Sequence, residues 1–295
     1  MSRVLVIIVT YNAMKWVDRC FGSLRASRHP VDVFVVDNSS SDGTPEYIRE
    51  YFPEVILYCS RENYGFGKAN NIGFEYALSE GYDYVYLLNQ DAWLFSDTLE
   101  KLIGIHASNP EYGVISPVQM TASMERPDPR FKVKCLRGDI SDYQDGILYD
   151  VDFVMAAHWL VSRKCLETVG GFSPAFAHYG EDDNYIHRAL WHGFKVGFLG
   201  GTYAVHDREM RPASKSSRMR LKCVASVVKV SNPSSCLPYR LLMQPVELLA
   251  ISMRYLAADV LKFIPSFIAS YCRLIRLRRD SVKKGAFLRF SREND

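Results

Sequence analysis

The sequence has no apolar run approaching the about 20 residues that a membrane-spanning helix needs; charge-free stretches such as Phe263 to Cys272 are far shorter. Its 7 cysteines (Cys20, Cys59, Cys135, Cys165, Cys223, Cys236, Cys272) are odd in number and form no C-x-x-C pair or zinc spacing. That argues against a disulfide scaffold or a structural zinc and for reduced thiols. No segment repeats at a fixed period, which excludes solenoids and propellers. Neither a Walker loop nor a G-x-G-x-x-G fingerprint is present. Met1-Ser2-Arg3 leads straight into a β-branched run with no signal peptide between, so a cytoplasmic location is expected. What remains is an ordinary globular composition, 48% hydrophobic and 23% charged over 295 residues, enough to bury a sizeable core.

A formal net charge of +3 conceals a split. Arg208 to Asp295 carry 18 Lys and Arg against 6 Asp and Glu, leaving Met1 to Asp207 with a net charge of −9. The division suggests an acidic catalytic body, residues 1–208, and a basic amphipathic helical extension, residues 209–295. Basic residues interleaved with Leu, Ile, Phe and Tyr point to peripheral attachment to anionic lipid. A solvated helical face, packing on the body and dimerisation are the competing readings. No nucleic-acid partner is expected, and the oligomeric state is open.

Val4 to Val9 is a continuous apolar run, as in a strand buried on both faces. Ala13 to Arg25 is amphipathic. Strands follow at Val31 to Val36, Val55 to Tyr58 and Tyr84 to Leu88. Helices alternate with them, from Thr44-Pro45, which supplies a cap and a first-turn proline, and from Gly67 to Ser79. Such alternation predicts an α/β fold with a largely parallel open sheet. Residues 120–150 read as a polar loop or small subdomain. Asp182 to Trp191 reads as a helix, Lys195 to Leu199 and Thr202 to Val205 as strands, and two helical stretches lie around Pro245 to Ile264 and Ser266 to Arg279. Ligands of such sheets bind beyond the carboxyl ends of the strands. That selects Thr10-Tyr11-Asn12, Asp37-Asn38 and Asn89-Gln90-Asp91 as one rim.

Asp91 follows a buried strand, where a carboxylate needs a partner or a cation. Mg²⁺ or Mn²⁺ takes oxygen ligands, often one or two carboxylates plus substrate phosphates; an acid in a strand-to-helix turn is the plain alternative. Glu181-Asp182-Asp183 opens a helix, where the dipole favours acids. A cap needs only one of the three, so Asp182 is a candidate general base. Asn63 to Gly73 is a Gly-rich turn entering a helix, suited with Lys68 to an anion. His206 ends a strand as a candidate metal ligand, although a lone histidine is more often structural. His158, His187 and His192 read as core or helix-face residues.

Together these segments resemble family-two glycosyltransferases of the GT-A fold, especially bacterial rhamnosyltransferase-like members, over roughly Val4 to Arg208. Val9-Thr-Tyr-Asn12 and Val36-Asp-Asn-Ser-Ser-Ser-Asp-Gly43 resemble the family's nucleotide-binding segments, Asn63 to Gly73 its N-x-G-F-G-x-A-N-N-x-G segment, and Leu88-Asn-Gln-Asp-Ala92 its metal-binding acidic motif. Gly170-Gly-Phe172 followed by Tyr179-Gly-Glu-Asp-Asp183 is similar to the acceptor-side loop with the base. The resemblance implies an inverting transferase that uses a nucleotide-diphosphate sugar, a divalent cation (Mg²⁺ or Mn²⁺) and a saccharide or lipid-linked acceptor, in cell-surface polysaccharide synthesis. It implies donor contacts from Thr10, Tyr11, Asn12, Asp37, Asn38, Gly65, Lys68, Asn71, Asn89 and Gln90, with Tyr11 on the base and Asp37 at base or ribose. Asp91 and His206 fall on the metal side, and Tyr179, Gly180, Glu181, Asp183 and Arg188 on the acceptor side. The chain departs from the family where Asn89 replaces the first acid of D-x-D, Asn184 a frequent acid, and Ala156-Ala157 a common Gly-Ala.

Rival readings are a nucleotidyltransferase, which would need a Gly-rich loop with Arg and Lys after the first strand, and a non-catalytic nucleotide-sugar-binding relative, which would lose Asp91 and Asp182. A dinucleotide oxidoreductase would need glycines where Thr10-Tyr11-Asn12 stands. dTDP-rhamnose, UDP-galactose and UDP-N-acetylhexosamines all remain compatible donors.

Overall fold

The structure is a computed structural model and describes residues 1–208 and 214–289. In chain order it runs β1 (Val4–Thr10), α1 (Val17–Arg25), β2 (Asp32–Asp37), α2 (Thr44–Tyr51), β3 (Ile56–Cys59), α3 (Gly65–Ser79), β4 (Tyr84–Asn89), β5 (Ala92–Leu94), α4 (Thr98–Ser108) and β6 (Tyr112–Met120). It continues with α5 (Pro129–Cys135), β7 (Leu148–Asp150), β8 (His158–Ser162), α6 (Arg163–Val169), α7 (Glu181–Trp191) and β9 (Lys195–His206). Four helices close the described chain, α8 (Lys215–Ser231), α9 (Leu237–Tyr255), α10 (Ala258–Ala269) and α11 (Tyr271–Asp280).

All but β7 lie along one sheet in the order β3-β2-β1-β4-β8-β6-β9-β5, and β7 pairs with β9. The stretch from β3 to β4 is parallel throughout, and β6 runs parallel to β9; β8 enters antiparallel to both β4 and β6. Side chains alternate across a strand, and β1 feeds both cores: Leu5 and Ile7 pack on one face of the sheet, Val4, Val6 and Ile8 on the other. That double burial is why the run carries no polar residue before Thr10.

Register brings the polar breaks together. Thr10 lies opposite Asp37, Val9 opposite Asn89, and Ala92 opposite His206. Residues distant in the chain thus meet at one end of the sheet.

The structure differs from the sequence reading in several places. The two strands read between Lys195 and Val205 are one strand, β9, with a register shift against β6 between Pro117 and Val118. Gly43, not Thr44, caps α2; its φ of 86° needs glycine, while the Thr44 hydroxyl donates to Asp42 Oδ1 at 2.6 Å. The segment 120–150 holds α5, begun by Asp128, whose carboxylate accepts from the Arg130 and Phe131 N–H groups. In the extension, α8 had no counterpart in the sequence reading, and the long helical stretch is broken at Leu256, where φ is 48°. The expected boundary falls beside residues 209–213, which lie outside the described residues. α8 to α11 share their own apolar cluster, including Met219, Leu248, Val260, Phe267 and Leu274. The last described residues return to the body: Gly171 N donates to Ala286 O at 2.7 Å, and Arg289 N to Glu75 at 2.9 Å.

Candidate active site

At the strand-end rim, a cleft of about 970 Å³ opens between Tyr11, Asn12, Gln90 and Asp91 on one side and Tyr179, Gly180, Asp183 and α8 on the other. Its first wall is held from beneath. Asp37 is buried; Oδ1 accepts the Thr10 and Ser40 hydroxyls at 2.8 and 2.6 Å, and Oδ2 the Ser40 N–H at 2.9 Å. Asn38, also buried, ties to Tyr64 N and Gly65 O. Thr10, Asp37 and Asn38 therefore brace the rim and are not among the residues that line the cleft. Tyr11 stands above them with its side chain half exposed, its backbone gripped on both sides by the Gln90 amide at 2.7 and 3.3 Å. Asn12 adopts a φ of 52°, a conformation in which asparagine is enriched, and accepts from Ser41 N at 2.9 Å.

Asp91 lies at the cleft wall beside His206, with 3.6 Å between Oδ1 and the imidazole Nε2. Burial raises the Asp91 carboxyl, but the His206 imidazole and, more weakly, Arg208 outweigh it and hold the group below its ordinary value. Behind His206 sits the fully buried Asp128, whose Oδ2 is 3.7 Å from His206 Nδ1 and 2.9 Å from Arg208 Nε. Among the described residues no three His, Cys, Asp or Glu side chains gather as a complete metal cage. A carboxylate at the cleft wall with an imidazole buried beside it suits a Mg²⁺ or Mn²⁺ that takes its other ligands from phosphates and water.

Across the cleft, the turn before α7 is closely packed against α8. Gly180 has a φ of 86°, and a Cβ there would lie 2.8 Å from methyl groups of both Val224 and Val228 of α8. Glu181 is buried with Oε2 unpartnered, and burial, added to by the Asp182 and Asp183 charges, pushes its carboxyl up to about 7. Asp182 and Asp183 are both raised, first by burial; for Asp182 the neighbouring Asp183 charge adds to this. Asp183 reaches the cleft with Arg130 of α5 at 4.0 Å. Asp182 lies beside it in the first turn of α7, half-buried, accepting the Asp183 N–H at 2.9 Å, and is not itself among the lining residues.

Several residues expected at the site stand elsewhere. Lys68 and Asn71 line a separate cavity with Phe172 and Lys284. Asn71 pins Phe172 through paired backbone bonds of 3.0 and 2.7 Å, and Lys68 lies over the Tyr64 ring. The glycines of that turn allow close packing: a Cβ on Gly65 would meet Ala177 O at 2.7 Å, and one on Gly73 would meet Ile7 at 2.7 Å. Arg188 is buried in the body, where it donates to the Val169 and Gly171 carbonyls and to Asn184. Asn89 N pairs with Ala157 O, and its side chain is not in the cleft lining. His158 is a core residue between Tyr86 and Val205 O, lowered to about 3 by burial.

The cleft also holds residues the sequence did not flag. Trp16, Arg130, Lys134, Arg208 and Lys229 line it, as do Leu221, Val224, Ala225 and Val228 of α8. Asp128-Pro129 is a helix-start signature that could have located α5 and its two cleft-facing cations. For α8 no local signal names the surface it covers.

The sequence profile described as Glycosyl transferase family 2 matches residues 5–170, more than half of the chain. Among curated proteins, the chain is 27% identical over 206 residues to an N-acetylglucosaminyl-diphospho-decaprenol L-rhamnosyltransferase of Mycobacterium tuberculosis, covering 60% of this chain and 67% of that protein. It is 24% identical over 208 residues to dTDP-rhamnosyl transferase RfbF of Shigella flexneri, covering 70% and 69%. Among solved structures, mannosyltransferase PcManGT from Pyrobaculum calidifontis, in complex with GDP-Man and Mn²⁺, superposes with a TM-score of 0.55 at 19% identity over 95% of this chain and 87% of that one. TarS 1–349 of S. aureus in complex with UDP gives 0.56 at 16% identity over 95% and 90%. Identities this low speak for the fold alone, which is the GT-A fold. With the strand-end cleft and the profile match together, the chain belongs to glycosyl transferase family 2 and is a glycosyltransferase.

Proposed function

We propose that the cleft transfers a sugar from a nucleotide-diphosphate donor to an acceptor hydroxyl in one inverting displacement. The observation that carries this reading is a single cleft with Asp91 on one wall, the buried His206 beside it at 3.6 Å, and Asp183 from the first turn of α7 on the other wall. The nucleotide base would lie on the exposed Tyr11 ring. Arg208, Lys134 and Lys229 supply positive charge for a diphosphate, a role the sequence reading gave to Lys68. A divalent cation held by Asp91 and His206 would withdraw charge from the leaving diphosphate.

Asp182 is the proposed base, removing the acceptor proton as its oxygen attacks the anomeric carbon. Asp183, which lines the cleft 4.0 Å from the Arg130 guanidinium, is the alternative. Glu181 is too deeply buried to meet an acceptor. Turnover and donor affinity of Asp182→Asn and Asp183→Asn separate the two: loss of turnover in the second alone would move the role to Asp183.

Relatives named as rhamnosyltransferases, one of them for a diphospho-decaprenol acceptor, favour a deoxyhexose donor and a lipid-linked acceptor in cell-surface polysaccharide synthesis. The apolar α8 wall suits an acceptor with a hydrocarbon part. Among the described residues no helix is long and apolar enough to cross a membrane. Instead α9 exposes Tyr239, Leu242, Val246, Leu249 and Met253 at helical spacing, and the surrounding basic excess supports peripheral attachment to anionic lipid. Co-sedimentation with anionic vesicles at low salt tests this; no binding there ends it.

A further inference from the structure

We infer that the cavity between α3 and the last described residues binds a phosphate-bearing anion, a phosphomonoester or a diphosphate, separately from the sugar donor. The cavity is about 680 Å³, within the range of small-molecule sites, and shares no lining residue with the active-site cleft. Four cations line it, Lys68 of α3 and Lys283, Lys284 and Arg289 of the closing segment, against one carboxylate, Asp280 of α11. Asp280 is taken by Lys283, at 2.8 Å. Lys284 and Arg289 are exposed, and among the described residues neither has a carboxylate within ion-pair distance. Like charges gathered around one concavity repel one another, and apolar walls, here including the half-buried Phe176 and Phe287 rings, strengthen the field by excluding water. An anion relieves that repulsion. A phosphate group suits it because its oxygens accept from ammonium and guanidinium donors at the same time.

The segment that carries three of these cations is anchored from behind. Gly285 N donates to Thr168 O at 3.1 Å, next to the bond from Gly171 N to Ala286 O. Gly170 permits that approach: its φ is 81°, and a Cβ there would collide with the Ala286 carbonyl. The Phe287 ring lies 5.2 Å from the buried Arg188 guanidinium. Arg289 is tied down through its backbone N–H on Glu75 at 2.9 Å, while its side chain lines the cavity. The plain alternative is a diffuse basic surface, in which position matters little. Arg276 and Arg279 of α11 separate the two readings: both are exposed and close enough to act on Asp280, yet neither lines the cavity.

Two probes test the site on the full-length protein: inorganic pyrophosphate by calorimetry without divalent metal, and flotation with phosphatidylcholine vesicles that carry phosphatidic acid. The double variant Lys284→Ala/Arg289→Ala should weaken binding by about tenfold or more. Arg276→Ala/Arg279→Ala removes the same charge from outside the cavity and should change it by less than about threefold. Asp280→Asn should act in the opposite direction and tighten binding by about threefold, an effect that no loss of folding can imitate. Dependence on Lys284 and Arg289 with vesicles alone supports the site and assigns a lipid headgroup; dependence with pyrophosphate supports it and assigns a soluble phosphate. The affinity for thymidine diphosphate with Mn²⁺ should stay within about twofold in all three variants, so the site stands or falls apart from the transferase reading. A wild type that binds neither probe overturns the proposal, as does equal loss in the two double variants or none in the first. A parallel fall in thymidine diphosphate affinity overturns it too, by making the cavity part of the donor site.

Discussion

The two walls of the cleft are built differently. The donor wall rests on strand ends: Thr10, Asp37, Asn89 and His206 lie beneath or beside it, are set by β-sheet register, and each terminates a buried strand. The opposite wall is assembled from α5, a turn at Tyr179-Gly180, the start of α7 and one face of α8, elements that meet only through tertiary packing. A sheet fixes the position of residues at and just past its strand ends, whereas a wall of helices depends on packing that no local pattern records. The donor wall should therefore fail through chemistry when altered, and the acceptor wall through packing as well.

The largest effect is expected at the base. Asp182→Asn should lower turnover by about 10²-fold or more with donor affinity retained, measured by initial rates and calorimetry; nearly unchanged turnover would refute the assignment. Because Asp182 is raised by burial and by Asp183, the acid limb of the turnover profile should lie above the ordinary carboxylate range. Asp91→Ala should weaken donor binding in Mn²⁺ by about tenfold or more, and equal affinity with and without metal in the wild type would count against the cation site.

Two substitutions probe the acceptor wall by stability. Gly180→Ala forces a Cβ against Val224 and Val228 at positive φ and should cost about 2 kcal/mol, seen as a lower Tm. An unchanged Tm would mean that α8 does not close on this turn. Glu181 is the opposite case. Its carboxyl is raised from 4.5 to about 7 in the fold, so its contribution is intact below about pH 4.5 and is lost as pH rises through 7. Glu181→Gln should then raise stability at pH 8, by about 2 kcal/mol, and change it little at pH 5. Equal Tm shifts at both pH values would show the carboxyl to be solvated. Smallest of all, Lys68→Ala should leave donor affinity within about twofold, since Lys68 opens on a different cavity; a larger loss would return the Gly-rich turn to the donor site.

Legibility in the sequence divides along the same line. Asp91 could be singled out because a buried strand ends abruptly in polar residues, and register makes every such ending a neighbour of the others. The Gly-rich turn is ambiguous in sequence because glycine serves both an anion and a close approach. The close approaches it makes, to Ala177 at Gly65 and to Ile7 at Gly73, involve residues far along the chain. Along Glu181-Asp182-Asp183 the acidic composition was plain, but which carboxylate faces the cleft depends on the rotational phase of α7, set by its packing on β9 and α8. Arg130 and Arg208 escaped notice because Asp128, which caps the helix carrying Arg130 and pairs with Arg208, has a sequence signature that speaks only of a helix start. The basic excess of the extension was visible at once, but not that α8 turns one face onto the active site.

The most direct test is where a cation goes. Crystals grown with Mn²⁺ and a nucleoside diphosphate should show one anomalous peak within bonding distance of Asp91 and His206, in the same cleft that Asp183 lines. A peak elsewhere on the protein, or bound nucleotide with no metal beside Asp91, would contradict the transferase site proposed for this cleft.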